Sequence, residues 1–200
     1  KAGGADVRIF QDVMTRAPVF AAKSIPHAAD SIHWIEEHFA EIKEAAEKTT
    51  THGKLKKIST YTAGTSVYVR MAYETGDAMG MNMATLASEA AAKVIEEATG
   101  LRLIAASGNM CCDKKPAAIN AVEGRGKTVS AGVFLSDELI RTVLKTEASL
   151  LIEVNTRKNL VGSARAGALG FNAHAANVVA ALFLARGEDA AHVVEGSNCI

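Results

Sequence analysis

Cysteine is scarce in this sequence and poorly placed for cross-linking. Cys111 and Cys112 are neighbours and Cys199 stands alone. Adjacent cysteines rarely bridge each other, and no C-x-x-C spacing occurs, so neither a disulfide framework nor a zinc site is indicated. No metal is expected, and a reducing compartment fits. Excess charge is missing too: 22 Lys and Arg balance 22 Asp and Glu, for a formal net charge of zero. Composition therefore points to neither nucleic acid nor an anionic membrane surface. No apolar run approaches the ~20 residues of a membrane span, and the first residues show no signal-peptide pattern. The chain opens without methionine and stops inside a motif. It is expected to be a piece of a longer protein, whose targeting and anchoring it leaves open. Repeats and low-complexity segments are absent, as is the G-x-G-x-x-G of a Rossmann unit.

What remains is ordinary for a soluble globular chain: 48% hydrophobic and 22% charged. Two hundred residues allow one domain, or a domain with a second inserted in it. Residues 17–23 read as a short strand. Ile32, Ile35, Phe39, Ile42 and Ala46 then form one apolar stripe at helical spacing, with Asp30 or Ser31 as the cap and residues 49–53 as the stop. Residues 55–62 and 66–73 read as a hairpin, with Val67, Val69, Met71 and Tyr73 on one face. A helix over about 79–98 should turn Met83, Leu86, Ala90, Val94 and with them Ile95 inward and end at Gly100. Residues 101–106 supply a last strand. The order is βαββαβ, a ferredoxin-like arrangement. The rest reads as helical, with a strand-like run at 127–135, a helix capped at Ser136 and Ala-rich stretches at 148–167 and 173–186.

Residues 107–127 carry the strongest chemical signal. Asp113, Lys114 and Lys115 stand side by side, Arg125 and Lys127 follow, and Pro116 ends the run. Cations gathered near one carboxylate suit an anionic substrate, and an Asp–Lys pair can tune a lysine for work on a carbonyl. A lone DKK would read as a solvated loop. In the Gly76–Asn82 turn, Gly76 and Gly80 admit close backbone approach, and the helix after it offers free N–H groups to a phosphate; the plainer reading is a turn capped by Asp77. Lys54, Lys56 and Lys57 read as a solvated strand edge or as a phosphate contact. His174, inside an Ala-rich run, reads as a packing histidine.

Glu74-Thr-Gly-Asp-Ala-Met-Gly-Met-Asn-Met83, the DKKPAAIN of 113–120, Lys158-Asn-Leu-Val-Gly-Ser163, Phe171-Asn-Ala-His-Ala-Ala-Asn177 and Glu195-Gly-Ser-Asn-Cys-Ile200 occur in this order. Together they resemble the catalytic domain of the class I 3-hydroxy-3-methylglutaryl-CoA reductases, from Met14-Thr-Arg-Ala-Pro18 to the last residue. The resemblance implies an α+β protein: a larger helical substrate-binding domain (1–16 and 107–200) with an inserted ferredoxin-like NADPH-binding domain (17–106). It implies reduction of hydroxymethylglutaryl-CoA to mevalonate and CoA in two hydride transfers, on the route to isoprenoids and sterols. Lys114 and Asp189 match catalytic positions: an ammonium that stabilises charge on the thioester oxygen, and a carboxylate that tunes it. Arg16, Ser107, Asn109, Asp113, Lys115, Lys158 and Asn177 are implied in substrate binding. Asp77, Met79, Gly80, Met81 and Asn82 are implied in holding NADPH.

The family's catalytic glutamate would lie before Lys1 and its histidine beyond residue 200. Relatives work as homodimers or homotetramers with shared active sites, and are either soluble or anchored to the endoplasmic reticulum by a separate membrane domain. The chain departs from the family where Thr50-Thr51 replaces a usual Ser-Arg, which leaves one of Lys54, Lys56 and Lys57, or His52, to meet the 2′-phosphate, with Lys54 the closest on the strand entry. It departs again at Ala168-Leu-Gly-Phe171, where relatives usually carry another glycine. The rival reading is a ferredoxin-like ligand- or RNA-binding module without catalysis. It would rest on Tyr61, Tyr68 and Tyr73, and no RNP-like sequence accompanies them.

Overall fold

The computed structural model describes residues 2–200. They divide into two compact units, one formed by Gln11–Cys111 with Gly124–Thr128 and the other by the remaining described residues. The division expected at 17 and 106 falls inside the first unit. The chemistry of the fold is mixed α/β on an antiparallel sheet.

The first unit is built on β4 (Ser66–Glu74), the most deeply buried strand. Val67, Val69, Met71 and Tyr73 are buried on it as alternation predicts, and Arg70 and Ala72 are buried as well, because β4 has partners on both edges. On one edge β3 (Lys54–Ala63) closes the expected hairpin, Ala63 opposite Ser66. On the other, β2 (Val19–Ala21) pairs with 66–68 and the end of β1 (Asp6–Arg16) pairs with 71–73. The strand expected at 17–23 is β2, shortened to 19–21 because Pro18 precedes it, and β1 lies wholly upstream, where alternation gives no sign of it. Beyond β2 lies β5 (Arg102–Ala105); β6 (Gly126–Gly132) continues the sheet from β1 and is shorter than the expected 127–135.

Two helices replace the single one expected before the hairpin: α1 (Ile25–Glu37) and α2 (Phe39–Glu47). The start lies earlier than Asp30 because Ser24 caps it, its Oγ accepting the His27 N–H at 3.2 Å, and Pro26 occupies the first turn. The break falls at His38, whose ring stacks on Trp34 at 4.3 Å. The apolar stripe survives it, with Ile35, Ile42 and Ala46 in the core. In α3 (Met81–Thr99) the inward face differs from expectation. Ile95 is buried as expected, but its buried companions are Ala84, Ala87, Ser88, Ala91 and Ala92, whereas Leu86 is 59% exposed. Small residues let α3 approach α2 and the sheet closely, so volume rather than hydrophobicity selects the buried face. Ser88 is satisfied by the buried Tyr73 hydroxyl at 3.0 Å.

The second unit is helical apart from strand ends. It holds α4 (Ala118–Glu123), α5 (Asp137–Leu139), α6 (Ala148–Val154), α7 (Ser163–Ala166), α8 (Ala175–Arg186) and α9 (Val193–Gly196). π-helical turns at Ile140–Leu144 and Asn155–Gly162 extend α5 and α6, and a 3-10 turn at Ala190–His192 leads into α9. Ser136 caps α5 as expected, accepting the Leu139 N–H at 3.3 Å. Among the described residues of this unit only Ile140 and His192 are buried. No described helix is long and apolar enough to cross a membrane.

Candidate active site

The turn between β4 and α3 forms because Gly76 and Gly80 adopt left-handed backbone, φ 67 and 76. Gly80 also has no room for a side chain: a Cβ there would lie 2.5 Å from Thr75 Cγ2. Thr75 stitches the turn by donating from Oγ1 to the Ala78 carbonyl at 2.6 Å. Gly80, not Asp77, is the cap of α3, and no side chain accepts a hydrogen bond from the helix's first turn. Asp77, Met79 and Asn82 are exposed around it, and Met81 receives the Arg125 guanidinium on Sδ at 3.1 Å. A helix N-terminus with free N–H groups beside two glycines fits an anionic group lying against the backbone. Lys54 lies on β3 and is ion-paired to Glu47 at 3.5 Å.

Arg16 and Ser107 converge in the same unit. Arg16 donates from Nε to Thr85 Oγ1 at 3.0 Å and directs Nη1 at Cys111 Sγ, 4.0 Å away. Ser107 Oγ lies 3.0 Å from that sulfur. Asn109, two residues on, has φ 63. The segment is held by Arg70, a residue the sequence reading overlooked: its buried guanidinium donates to the Met110 carbonyl at 3.0 Å and the Gly124 carbonyl at 2.7 Å. Alternation puts Arg70 on the face opposite Val69 and Met71, which reads as solvent-facing, so the sequence carries no local signal for it. Arg70→Met should leave both carbonyls without a donor and destabilise the protein by about 2–4 kcal/mol. Equilibrium denaturation measures this; a loss below about 1 kcal/mol would mean that other groups replace the guanidinium.

In the second unit Lys114 and Asp189 meet. Lys114 Nζ lies 2.7 Å from Asp189 Oδ2, and both side chains are about two-fifths exposed. Asp189 Oδ1 accepts the Ala191 N–H at 2.9 Å and so caps the 3-10 turn. The cap reading and the pairing with lysine are thus both realised, one on each oxygen. The hydrogen bond from Lys114 is the largest influence holding the Asp189 carboxyl below its usual range, and the Ala191 N–H adds to it. The same hydrogen bond raises Lys114 above the usual lysine range. At neutral pH the pair is therefore an ammonium and a carboxylate, suited to stabilising an oxyanion rather than to acting as a base.

Asp113 and Lys115 flank this pair. Lys115 Nζ donates to the Asp113 carbonyl at 3.1 Å. Asp113 Oδ1 lies 2.8 Å from His192 Nε2, and Glu195 Oε2 accepts the Lys114 backbone N–H at 2.8 Å. Cys112 and Lys114 both have left-handed backbone, φ 45 and 57. For residues with a Cβ this costs roughly 1–2 kcal/mol each, strain of a kind that collects at functional sites. Lys158 is exposed on the π-helical turn Asn155–Gly162, and Asn177 is exposed in the first turn of α8; each lies on a different element from the Lys114 cluster. His174 is exposed at the start of α8 rather than packed inside it, and Asn172 Oδ1 accepts the Ala175 N–H at 3.0 Å in its stead. His192 and Glu195 were not singled out from sequence, although Asp189, His192 and Glu195 recur every third residue.

The whole chain, residues 1–200, matches the sequence model of the family Hydroxymethylglutaryl-coenzyme A reductase. It is 56% identical over 199 residues to the 3-hydroxy-3-methylglutaryl-coenzyme A reductase of Haloferax volcanii, covering 100% of this chain and 49% of that protein. Against the enzyme of the same name from Halobacterium salinarum it is 54% identical, with coverages of 100% and 49%. Against that of Methanothermobacter thermautotrophicus it is 52% identical, with coverages of 98% and 50%. The chain spans about half the length of the curated relatives it matches. Among solved structures, 3-hydroxy-3-methylglutaryl-coenzyme A reductase of Streptococcus pneumoniae superposes with a TM-score of 0.65 at 16% identity, covering 98% of this chain and 51% of that one. The class II enzyme of that organism, bound to NADPH in open conformations, gives 0.56 at 16% identity, with coverages of 90% and 42%. At such low identity the likeness is one of fold.

Proposed function

The chain belongs to the hydroxymethylglutaryl-coenzyme A reductase family, and on that premise we propose that the full-length protein reduces 3-hydroxy-3-methylglutaryl-CoA to mevalonate and CoA. The observation that carries this for the chain's own residues is the Lys114–Asp189 ion pair. Each hydride that reaches a carbonyl carbon leaves negative charge on its oxygen, and the Lys114 ammonium would meet that charge. Asp189 keeps the ammonium protonated and aimed. Arg16, Ser107, Asn109, Asp113, Lys115, Lys158 and Asn177 are proposed to hold the anionic hydroxymethylglutaryl group, for which a planar guanidinium suits the carboxylate. NADPH would supply the hydrides. Asp77, Met79, Gly80, Met81 and Asn82 would bind it, the uncapped start of α3 taking a phosphate.

The strand order β5-β2-β4-β3, with α1 and α2 before β3 and α3 before β5, supports reading residues 17–106 as a ferredoxin-like NADPH-binding domain. The rival RNA-binding reading is not favoured: Tyr73 is buried and bonded to Ser88, and Tyr61 and Tyr68 make one cross-strand pair with no RNP-like sequence around them. Self-association is part of the proposal. Val178, Leu182 and Leu184 on α8 and Ile152 and Val154 on α6 are exposed, and burying them would favour association.

The full-length protein should consume two NADPH for each mevalonate formed, followed by absorbance and product analysis; NADPH oxidation that ignores the CoA thioester would refute the proposal. Lys54→Ala tests cofactor choice. Its ammonium is shared with Glu47, so the contact is at the weak end for a charged hydrogen bond, about 1.5 kcal/mol or roughly a tenfold rise in KM for NADPH. KM for NADH should stay nearly constant. Equal losses for both cofactors would make Lys54 structural.

A further inference from the structure

His192 has no part in the chemistry just proposed, yet it is one of two buried residues among those described in its unit. A buried imidazole needs partners. Its Nε2 lies 2.8 Å from Asp113 Oδ1 and 3.6 Å from Glu195 Oε1. The other Glu195 oxygen accepts the backbone N–H of Lys114. These contacts close a ring: Lys114 N–H to Glu195, Glu195 to His192, His192 to Asp113, and Asp113 back to Lys114 through their peptide bond. Asp189, His192 and Glu195 follow one another at three-residue spacing on the 3-10 turn and α9, so one short segment grips both the backbone and the ammonium of Lys114.

We infer that His192 and Glu195 are positioning residues for Lys114, an inference that rests on the reductase reading. Lys114 has left-handed backbone, a conformation that a residue with a Cβ does not keep unaided. Glu195 supplies the acceptor that holds it there. Glu195 and Asp113 are carboxylates close enough to repel; the imidazole hydrogen-bonds to Asp113 at 2.8 Å and stands between it and Glu195, 3.6 Å away, which holds the two apart. Without it the carboxylates separate, Glu195 releases the Lys114 N–H, and the backbone relaxes toward the right-handed region. The ammonium then leaves Asp189. The same three side chains are of a kind that binds divalent cations, but 2.8 Å between Nε2 and Oδ1 is a direct hydrogen-bond distance.

Steady-state kinetics of the full-length protein, with a thermal melt of each variant, tests this. His192→Ala and Glu195→Ala should each lower kcat about tenfold to a hundredfold, with KM for both substrates within about twofold. His192→Gln should recover most of the loss, because its side-chain amide N–H reaches where Nε2 does. EDTA should leave the wild type unchanged. Wild-type kcat in His192→Ala, or no recovery in His192→Gln, overturns the inference. So does a chelator-sensitive kcat restored by zinc, which would make the cluster a metal site. A melted His192→Ala leaves the contrast between His192→Gln and Glu195→Ala to decide. An inactive wild type is a failure of the reductase reading instead. Acylation of the Lys114 amine then tests the ring on its own: several-fold faster labelling is expected in Glu195→Ala, and an unchanged rate refutes it.

Discussion

Replacing Lys114 by alanine in the full-length protein is expected to cut turnover about a hundredfold to a thousandfold, the usual consequence of deleting one oxyanion stabiliser. On the proposed reading the residue brings a full charge to the developing oxyanion, and its ammonium form is secured by Asp189, 2.7 Å away. Nothing in the first unit's own contacts involves it, so the dissociation constant for NADPH should stay within about twofold. Lys114→Arg is a sharper control. A guanidinium is planar and longer, keeps its charge, and spreads it over a fork that a single carbonyl oxygen does not match. It should restore binding of the anionic substrate while leaving kcat depressed. A loss below tenfold in Lys114→Ala would place the carbonyl-polarising role elsewhere.

The elements that were legible in the sequence are those whose pattern is local. Val67, Val69, Met71 and Tyr73 alternate, and they are buried together on β4. Ser136 lies next to an apolar helical run and caps α5. The buried face of α3 was not legible in this way, because alanine and serine at contact positions look featureless while Met83 and Leu86 look like core. Hydrophobicity ranks residues by what they gain on burial; close packing ranks them by what fits. β1 was missed for a related reason: its outer half is exposed throughout, so no face of it carries a burial signal.

The candidate site divides along the same line. Asp113, Lys114 and Lys115 stand out because three charges are adjacent in sequence. Asp189 is invisible in isolation, since a cap aspartate before a helical turn is commonplace, and only the fold brings it to Lys114 across 75 residues of chain. His192 and Glu195 carry the weakest signal, a spacing of three in a segment too short for a helical pattern to show. Arg70 is legible only once β4 is known to be central, for only then is its position inward.

Asp189→Asn should be nearly as damaging as its removal, with kcat lowered on the order of a hundredfold, although asparagine matches aspartate in size. The carboxylate uses its two oxygens for different donors: Oδ1 for the Ala191 N–H and Oδ2 for the Lys114 ammonium. An asparagine has one oxygen. Whichever donor that oxygen serves, the amide NH2 is turned toward the other, donor against donor. If the oxygen stays on Ala191, Lys114 loses both its anion and its aim. If it turns to Lys114, the cap of the 3-10 turn is lost. The pH dependence separates the two. In the wild type Asp189 titrates below its usual value and Lys114 above it, so the ion pair persists between those limits. Its contribution is lost as pH falls through the depressed carboxyl pKa, or as pH rises through the raised lysine pKa. In Asp189→Asn the acid limb due to this pair should vanish and the alkaline limb should move to lower pH, because the neutral amine is no longer disfavoured. Both groups are part-exposed, so salt should narrow the wild-type window more than the variant's, in which only Asp113 and Glu195 still favour the charged lysine. A variant with wild-type kcat and an unmoved alkaline limb would show that Asp189 only caps the turn.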